Sequence, residues 1–222
     1  MRIHKRRRIS RQKYTVLFRS FVFDITASKA AQIAGINRKT ADRYFNMFRD
    51  TVLKDALRER KSVELQNGIE ADESYFGPKR VKGKRGRGAG RKIIVFGLLK
   101  RKGKVYTEII KKAEKKEIMP IIRKVVQSGS DIYSDGWRSY DAVAAYGYNH
   151  KKVKHTENEF AREDGTHING VESYWSWTKR RLSKFNGMNK EQFKRYLLES
   201  EWRFNNRNML EFKLKKLLRF ST

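Results

Sequence analysis

GIEADESYFG, residues 68–77, is where the chain stops reading as helix. From Lys13 to Glu64 apolar residues recur three and four apart with no proline, whereas here Ile69 and Ala71 alternate with Glu70 and Asp72. KIIVFGLLKR (92–101) and GKVYTEIIKK (103–112) follow as strand-length apolar runs set apart by glycine-rich turns. EIMPIIRKVVQ (117–127) returns to helical spacing, SDIYSDGW (130–137) reads as a strand ending in a turn, YDAVAAYG (140–147) as a short helix and HKKVKH (150–155) as a strand. Residues 168–219 are helical again, with a break near Phe185 to Met188. Three strands, helix, strand, helix, strand, helix predicts an α/β domain on a mixed sheet.

Upstream of the sheet the organisation differs. Residues 1–12, MRIHKRRRISRQ, form a basic N-terminal arm with little apolar surface to bury. Residues 13–66 read as a small all-α domain, and within it TASKAAQIAGINRKTADRYFNMF (26–48) has the layout of a helix-turn-helix. Ala30, Ala31 and Ile33 lie on its first helix, Gly35 at the turn, and Asn37 at the N-cap of the second. Arg38, Lys39, Thr40 and Arg43 then open the second helix, where such motifs meet a major groove and its phosphates. The expected boundaries are 13–66 for this domain, 67–183 for the α/β domain and 184–222 for C-terminal helices.

Charge names the class of partner. Of 222 residues, 53 are Lys or Arg and 24 Asp or Glu, a formal net charge of +29, which a polyanion such as double-stranded DNA would neutralise. The loop PKRVKGKRGRGAGRK (78–92) carries eight basic residues and four glycines, and Lys82, Lys84, Arg85, Arg87 and Arg91 within it are candidates for backbone contact. There is no cysteine, so thiolate metal sites and disulfides are excluded. The longest apolar run, IIVFGLL (93–99), is far short of the roughly 20 residues a membrane-spanning helix needs, so no membrane is expected.

Three acids fall where an α/β sheet could gather them: Asp72 in the first strand, Asp135 at the end of the fourth, and Glu172 on the helix after the fifth. The element order is that of the ribonuclease H fold. Carboxylates so placed suit hard divalent cations, and two such ions about 3.5–4 Å apart can serve a phosphodiester displacement. Taken singly each acid has a plainer reading, since Asp135-Gly136 is also a turn dipeptide and Asp72 sits between Glu70 and Glu73. Lys179 follows Glu172 by seven residues, which on a helix puts the two within about 20° of one face, with Arg180 beside it. Trp175 and Trp177 read as packing residues.

EADESYFG (70–77), IYSDGWRSY (132–140), HINGVESYWSWTKRRL (167–182) and ESEWRFNNR (199–207), in that order and spacing, resemble the DDE transposases of bacterial insertion sequences, specifically the ISXO-like transposase domain, over roughly residues 67–207. The resemblance implies a ribonuclease H-like catalytic core, preceded by the small helix-turn-helix domain, that uses Mg²⁺ (or Mn²⁺), two ions, to cut transposon ends and join the freed 3′-hydroxyl to target DNA. It places Asp72, Asp135 and Glu172 on the metal-holding catalytic triad, with Asn169 and Lys179 as further active-site residues. It also implies a homodimer or higher oligomer on DNA and a bacterial cytoplasmic protein working at the nucleoid. Relatives often carry a cysteine-built zinc ribbon, so recognition of terminal inverted repeats is expected of the helix-turn-helix and the arm. Two other readings stay open on the residues: a ribonuclease H-like nuclease that cuts without joining, and a non-enzymatic helix-turn-helix DNA-binding protein.

Overall fold

The computed structural model describes residues 9–77, 92–135, 143–153, 168–185 and 187–218. The chain divides into two compact units, Ser62–Leu197 and Met1–Lys61 with Leu198–Thr222.

The helical unit begins with α1 (Arg11–Val22), whose N-cap Ser10 accepts the Lys13 N–H at 3.3 Å through Oγ. α2 (Ala27–Ala34) is capped the same way by Thr26 and ends at Gly35, which adopts φ +58° in the left-handed region. Asn37 Oδ1 accepts the Lys39 N–H at 2.8 Å and starts α3 (Arg38–Lys61), the cap its sequence predicts. Tyr14, Phe18, Phe21, Phe45 and Phe48 fill the centre, several of them edge to face. Ile33 lies on α2 but is exposed; the small Ala30, Ala31 and Ala34 are what let α2 pack closely.

The C-terminal residues complete this unit. Trp202, Leu214 and Leu218 are buried in the same core, and Arg203 donates to the carbonyl oxygens of Phe21 (2.7 Å) and Val22 (3.2 Å), closing the last turn of α1. Helix α6 (Lys190–Asn205) contributes to both units, the second from Leu198 onward, and α7 (Leu210–Leu218) follows a second break at Asn206–Met209 that the sequence pattern does not announce.

The other unit is the expected mixed sheet. Strands β1 (Ile69–Phe76), β2 (Ile93–Lys100) and β3 (Val105–Ile110) pair antiparallel, and β4 (Asp131–Asp135) and β5 (Asn149–Val153) add parallel, in the order β3-β2-β1-β4-β5. This is a ribonuclease H-like sheet. Ile69, Ala71, Phe96, Leu98 and Ile132 point to one face, where Ile118, Met119 and Ile122 of α4 (Lys115–Val125) cover them. Between β4 and β5 the described chain holds one 3-10 turn, Ala144–Tyr146, within the segment predicted as a short helix. The opposite face belongs to α5 (Asn169–Leu182), which buries Val171, Tyr174, Trp175, Thr178 and Leu182.

Candidate active site

Residues two apart on a strand share a face, so Glu70 and Asp72 both point away from α4 and toward α5. The parallel register pairs Ile69 with Ile132 and Glu70 with Tyr133. Counted two residues further along each strand, past the last paired residues, it brings Asp72 and Asp135 to corresponding positions on the same face of the two strands. Asp72 and Asp135 are both partly buried.

Helix α5 crosses this face at a contact that a glycine makes possible. Asp72 pairs with Gly97 of β2, and a Cβ built on Gly97 would lie 2.4 Å from Cζ2 of Trp175. The indole therefore rests where any other residue would put a side chain. Glu172 stands one turn before Trp175, at the exposed border of the buried stripe.

The charges register this proximity. Burial pushes the Asp72 carboxyl up to about 6, and the negative charges of Asp135 and Glu172 push it the same way. The backbone N–H of Glu73 and the indole of Trp175 pull it down in part. The buried Trp175 Nε1 meets no hydrogen-bond geometry with a described group, so it acts on the carboxyl as a nearby dipole rather than a bonded donor. Among the described residues no three acidic or histidine side chains stand close enough together to hold a metal ion between them. Asp72 is thus near Asp135 by register and near both Asp135 and Glu172 by charge, and carboxylate oxygens are the donor type that hard divalent cations take.

The other candidates are spread around this centre. Asn169 is the exposed first residue of α5. Lys179 is exposed on the Glu172 side of the helix, its Nζ 5.7 Å from the ring centroid of Phe76, which in turn meets Trp175 edge to face. Arg180 is exposed and donates to Ser176 Oγ at 2.6 Å, one helical turn back. In the helical unit Arg38, Lys39 and Arg43 are exposed on the first turns of α3, Arg38 pairing with Asp42 at 3.6 Å, and Lys39, Thr40 and Arg43 line a groove with Ser10 and Lys13. Lys82, Lys84, Arg85, Arg87 and Arg91 lie outside the described residues, as do residues 1–8 of the arm.

The family known as the ISXO2-like transposase domain matches residues 64–205. The chain belongs to that family. An uncharacterized transposase-like protein of Haemophilus influenzae is 43% identical over 105 residues, 47% of this chain and 84% of that one. An uncharacterized protein in the transposable element ISH50 of Halobacterium salinarum is 29% identical over 149 residues, 60% of this chain and 50% of that one. Among solved structures, the Mos1 strand transfer complex has 13% identity and a TM-score of 0.41, covering 97% of this chain and 79% of that chain. The catalytic domain of Mos1 mariner transposase has 13% identity and a TM-score of 0.40, covering 78% and 91%.

Within the transposase domain the sequence reading missed what holds α5. Glu70, 1% exposed, accepts the Val171 N–H at 2.8 Å, and Arg101 Nε approaches its other oxygen at 3.3 Å. Glu70 reads in the sequence as one more acid beside Asp72, and only the tertiary structure separates the two roles. Gly97 and Gly170 carry a faint signal, a glycine inside a strand and another in a first helical turn, which mark a close approach without naming the partner.

Proposed function

We propose that the protein is an insertion-sequence transposase that binds the terminal inverted repeats of its element, cuts the DNA at their ends and joins the freed strand to target DNA. What supports this reading is the placement of Asp72 near Asp135 on a ribonuclease H-like sheet, with Glu172 on the helix that covers that face, in a chain of a transposase family. Asp72, Asp135 and Glu172 would hold Mg²⁺ or Mn²⁺, two ions in the full site. Bound there, the metal supplies Lewis acidity, activating the attacking oxygen and stabilising the departing one.

The chain's own groups do the rest. In the first step a water oxygen attacks the phosphorus, the bond to the 3′-oxygen breaks, and a 3′-hydroxyl and a 5′-phosphate remain. In the second that hydroxyl attacks a target phosphodiester and displaces its 3′-oxygen, so the number of phosphodiester bonds is conserved. Lys179, on the Glu172 side of α5, is suited to hold a phosphate next to the carboxylates, and Asn169 sits one turn before Glu172 on the same side. Arg180 and the loop residues Lys82, Lys84, Arg85, Arg87 and Arg91 supply backbone contacts, while Arg38, Lys39, Thr40 and Arg43 address the element ends.

A dimer or larger assembly on DNA follows from the need to bring two ends together, and the site of action is the bacterial cytoplasm, at the nucleoid. No helix among the described residues is long and apolar enough to cross a membrane. The test is incubation of the full chain with Mg²⁺, labelled element ends and a plasmid. Joined product that disappears with Asp135→Asn is the expected result. Cleavage without joining would favour a plain nuclease, and joining that survives Asp135→Asn would overturn the assignment of the site.

A further inference from the structure

We propose that Glu70 is a positioning residue: its carboxylate provides the N-terminal cap that α5 lacks in its own sequence, and so sets the level at which Glu172 stands beside Asp72 and Asp135. The inference rests on the reading of those three acids as the reacting site.

Helix α5 starts without local help. Its N-cap is Ile168, which offers no side-chain acceptor, and the first-turn amides need one from elsewhere. Glu70 supplies it from β1, accepting the Val171 N–H through Oε2 at 2.8 Å. A carboxylate at the positive end of a helix is also favoured by the helix dipole.

The cap is held from behind. Arg101 donates to Glu70 Oε1 at 3.3 Å, its backbone N–H is bound by the Gly68 carbonyl at 3.0 Å, and its guanidinium lies 3.6 Å from the ring centroid of Tyr133. Tyr133 is the register partner of Glu70. The pair therefore forms a layer one step below Asp72 and Asp135, on the same face of the same two strands. An error in this layer is passed to the acids above it.

Gly170 closes the argument from the helix side. A Cβ there would lie 2.8 Å from Glu70 Oε2 and 2.6 Å from Leu99 Cδ2. The start of α5 thus has no spare distance from the carboxylate, and Glu172 follows Gly170 by two residues. A glutamine at position 70 cannot substitute for the carboxylate, since it has one acceptor oxygen for two donors and must turn its NH₂ toward either Val171 N–H or Arg101.

The full chain, Glu70→Gln, Gly170→Ala and the double variant are compared by amide hydrogen exchange, by Mn²⁺ binding followed by electron paramagnetic resonance, and by the Mg²⁺ dependence of joining. Expected for each single variant are at least tenfold faster exchange over 171–173, at least tenfold weaker Mn²⁺ binding, and a rise in the Mg²⁺ needed for half-maximal joining that exceeds the fall in maximal rate. The double variant should lose less than the product of the two, because both act on one contact. Exchange and Mn²⁺ binding within twofold of the unmodified chain in Glu70→Gln would overturn the proposal. If Glu70→Gln does not fold, Gly170→Ala decides it by the same thresholds. An unmodified chain that neither binds Mn²⁺ nor cuts DNA would overturn the catalytic reading and this inference with it, whereas wild-type behaviour of the variants beside an active parent overturns this inference alone.

Discussion

Trp175 lies against Gly97 so closely that a methyl group on Gly97 would fall 2.4 Å from Cζ2 and 2.7 Å from Cη2 of the indole. Asp72 is the register partner of Gly97, and Glu172 sits one turn from Trp175, so this one contact ties the strand beside Asp72 to the helix that carries Glu172. The atoms that would clash are a rigid ring and a strand, neither of which can swing aside. Gly97→Ala is therefore expected to cost about 1–3 kcal/mol of unfolding free energy and to lower joining at least tenfold. Chemical denaturation beside the joining assay checks both, and a variant as stable and active as its parent would show that the helix has slack.

Asp72 should make the metal-free protein less stable as pH rises. Burial first, and the charges of Asp135 and Glu172 after it, push its folded carboxyl up to about 6 from a usual 3.8, so the fold prefers the neutral acid. That preference contributes fully below about pH 4 and is lost as pH climbs through 6, because the folded state must then ionise a group hemmed in by Asp135 and Glu172. Asp72→Asn, neutral throughout, should match the parent near pH 4 and exceed it by on the order of 1–3 kcal/mol at pH 7. Adding Mg²⁺ at pH 7 should raise the melting temperature of the parent and leave that of Asp72→Asn unchanged. A variant less stable than its parent at pH 7 without metal would contradict the electrostatic account.

The sheet was legible because strand alternation and glycine-rich turns are local signals, and the spacing of 63 residues between Asp72 and Asp135 is the same offset that the β1–β4 register uses. The two helices α2 and α3 and the turn between them were legible for the same reason, down to Asn37 as cap. What could not be read were relationships between distant residues of similar type. Glu70 is indistinguishable from Glu73 in sequence, yet Glu70 is 1% exposed under α5. Nothing periodic ties Arg49 to Glu199, 150 positions later, so the return of residues 198–222 to the helical unit had no local trace.

That return is testable through Glu199, which is wholly buried between Arg49 (2.7 Å) and Arg203 (2.9 Å), both guanidinium side chains being nearly buried as well. Glu199→Ala takes from two nearly buried guanidinium groups the carboxylate they share, Arg203 keeping Asp24 at 3.9 Å, and a loss of about 3–5 kcal/mol is expected. Because Arg203 also closes α1, the loss should appear in the helical unit, as faster amide exchange in α1 and α3 while the central strands β1 and β2 keep their protection. Uniform loss across both units would refute the assignment of the C-terminal helices to the helical unit.

The groove at the start of α3 makes a separable prediction about DNA. Lys39 and Arg43 are exposed there, and α3 begins at a cap that the side chain of Asn37 makes, so neither cation is needed to hold the helix. Each contact to a phosphate releases counterions, and removing one should lower the slope of log binding constant against log salt by about 1. Lys39→Ala and Arg43→Ala should weaken binding to element ends accordingly, with unfolding free energy changed by less than about 0.5 kcal/mol. A loss that falls on element ends but not on unrelated DNA would identify a base contact instead, since phosphate contacts carry no sequence information. Binding by both variants that matches the parent at every salt concentration would move end recognition away from α3, leaving the arm or the 78–92 loop to perform it.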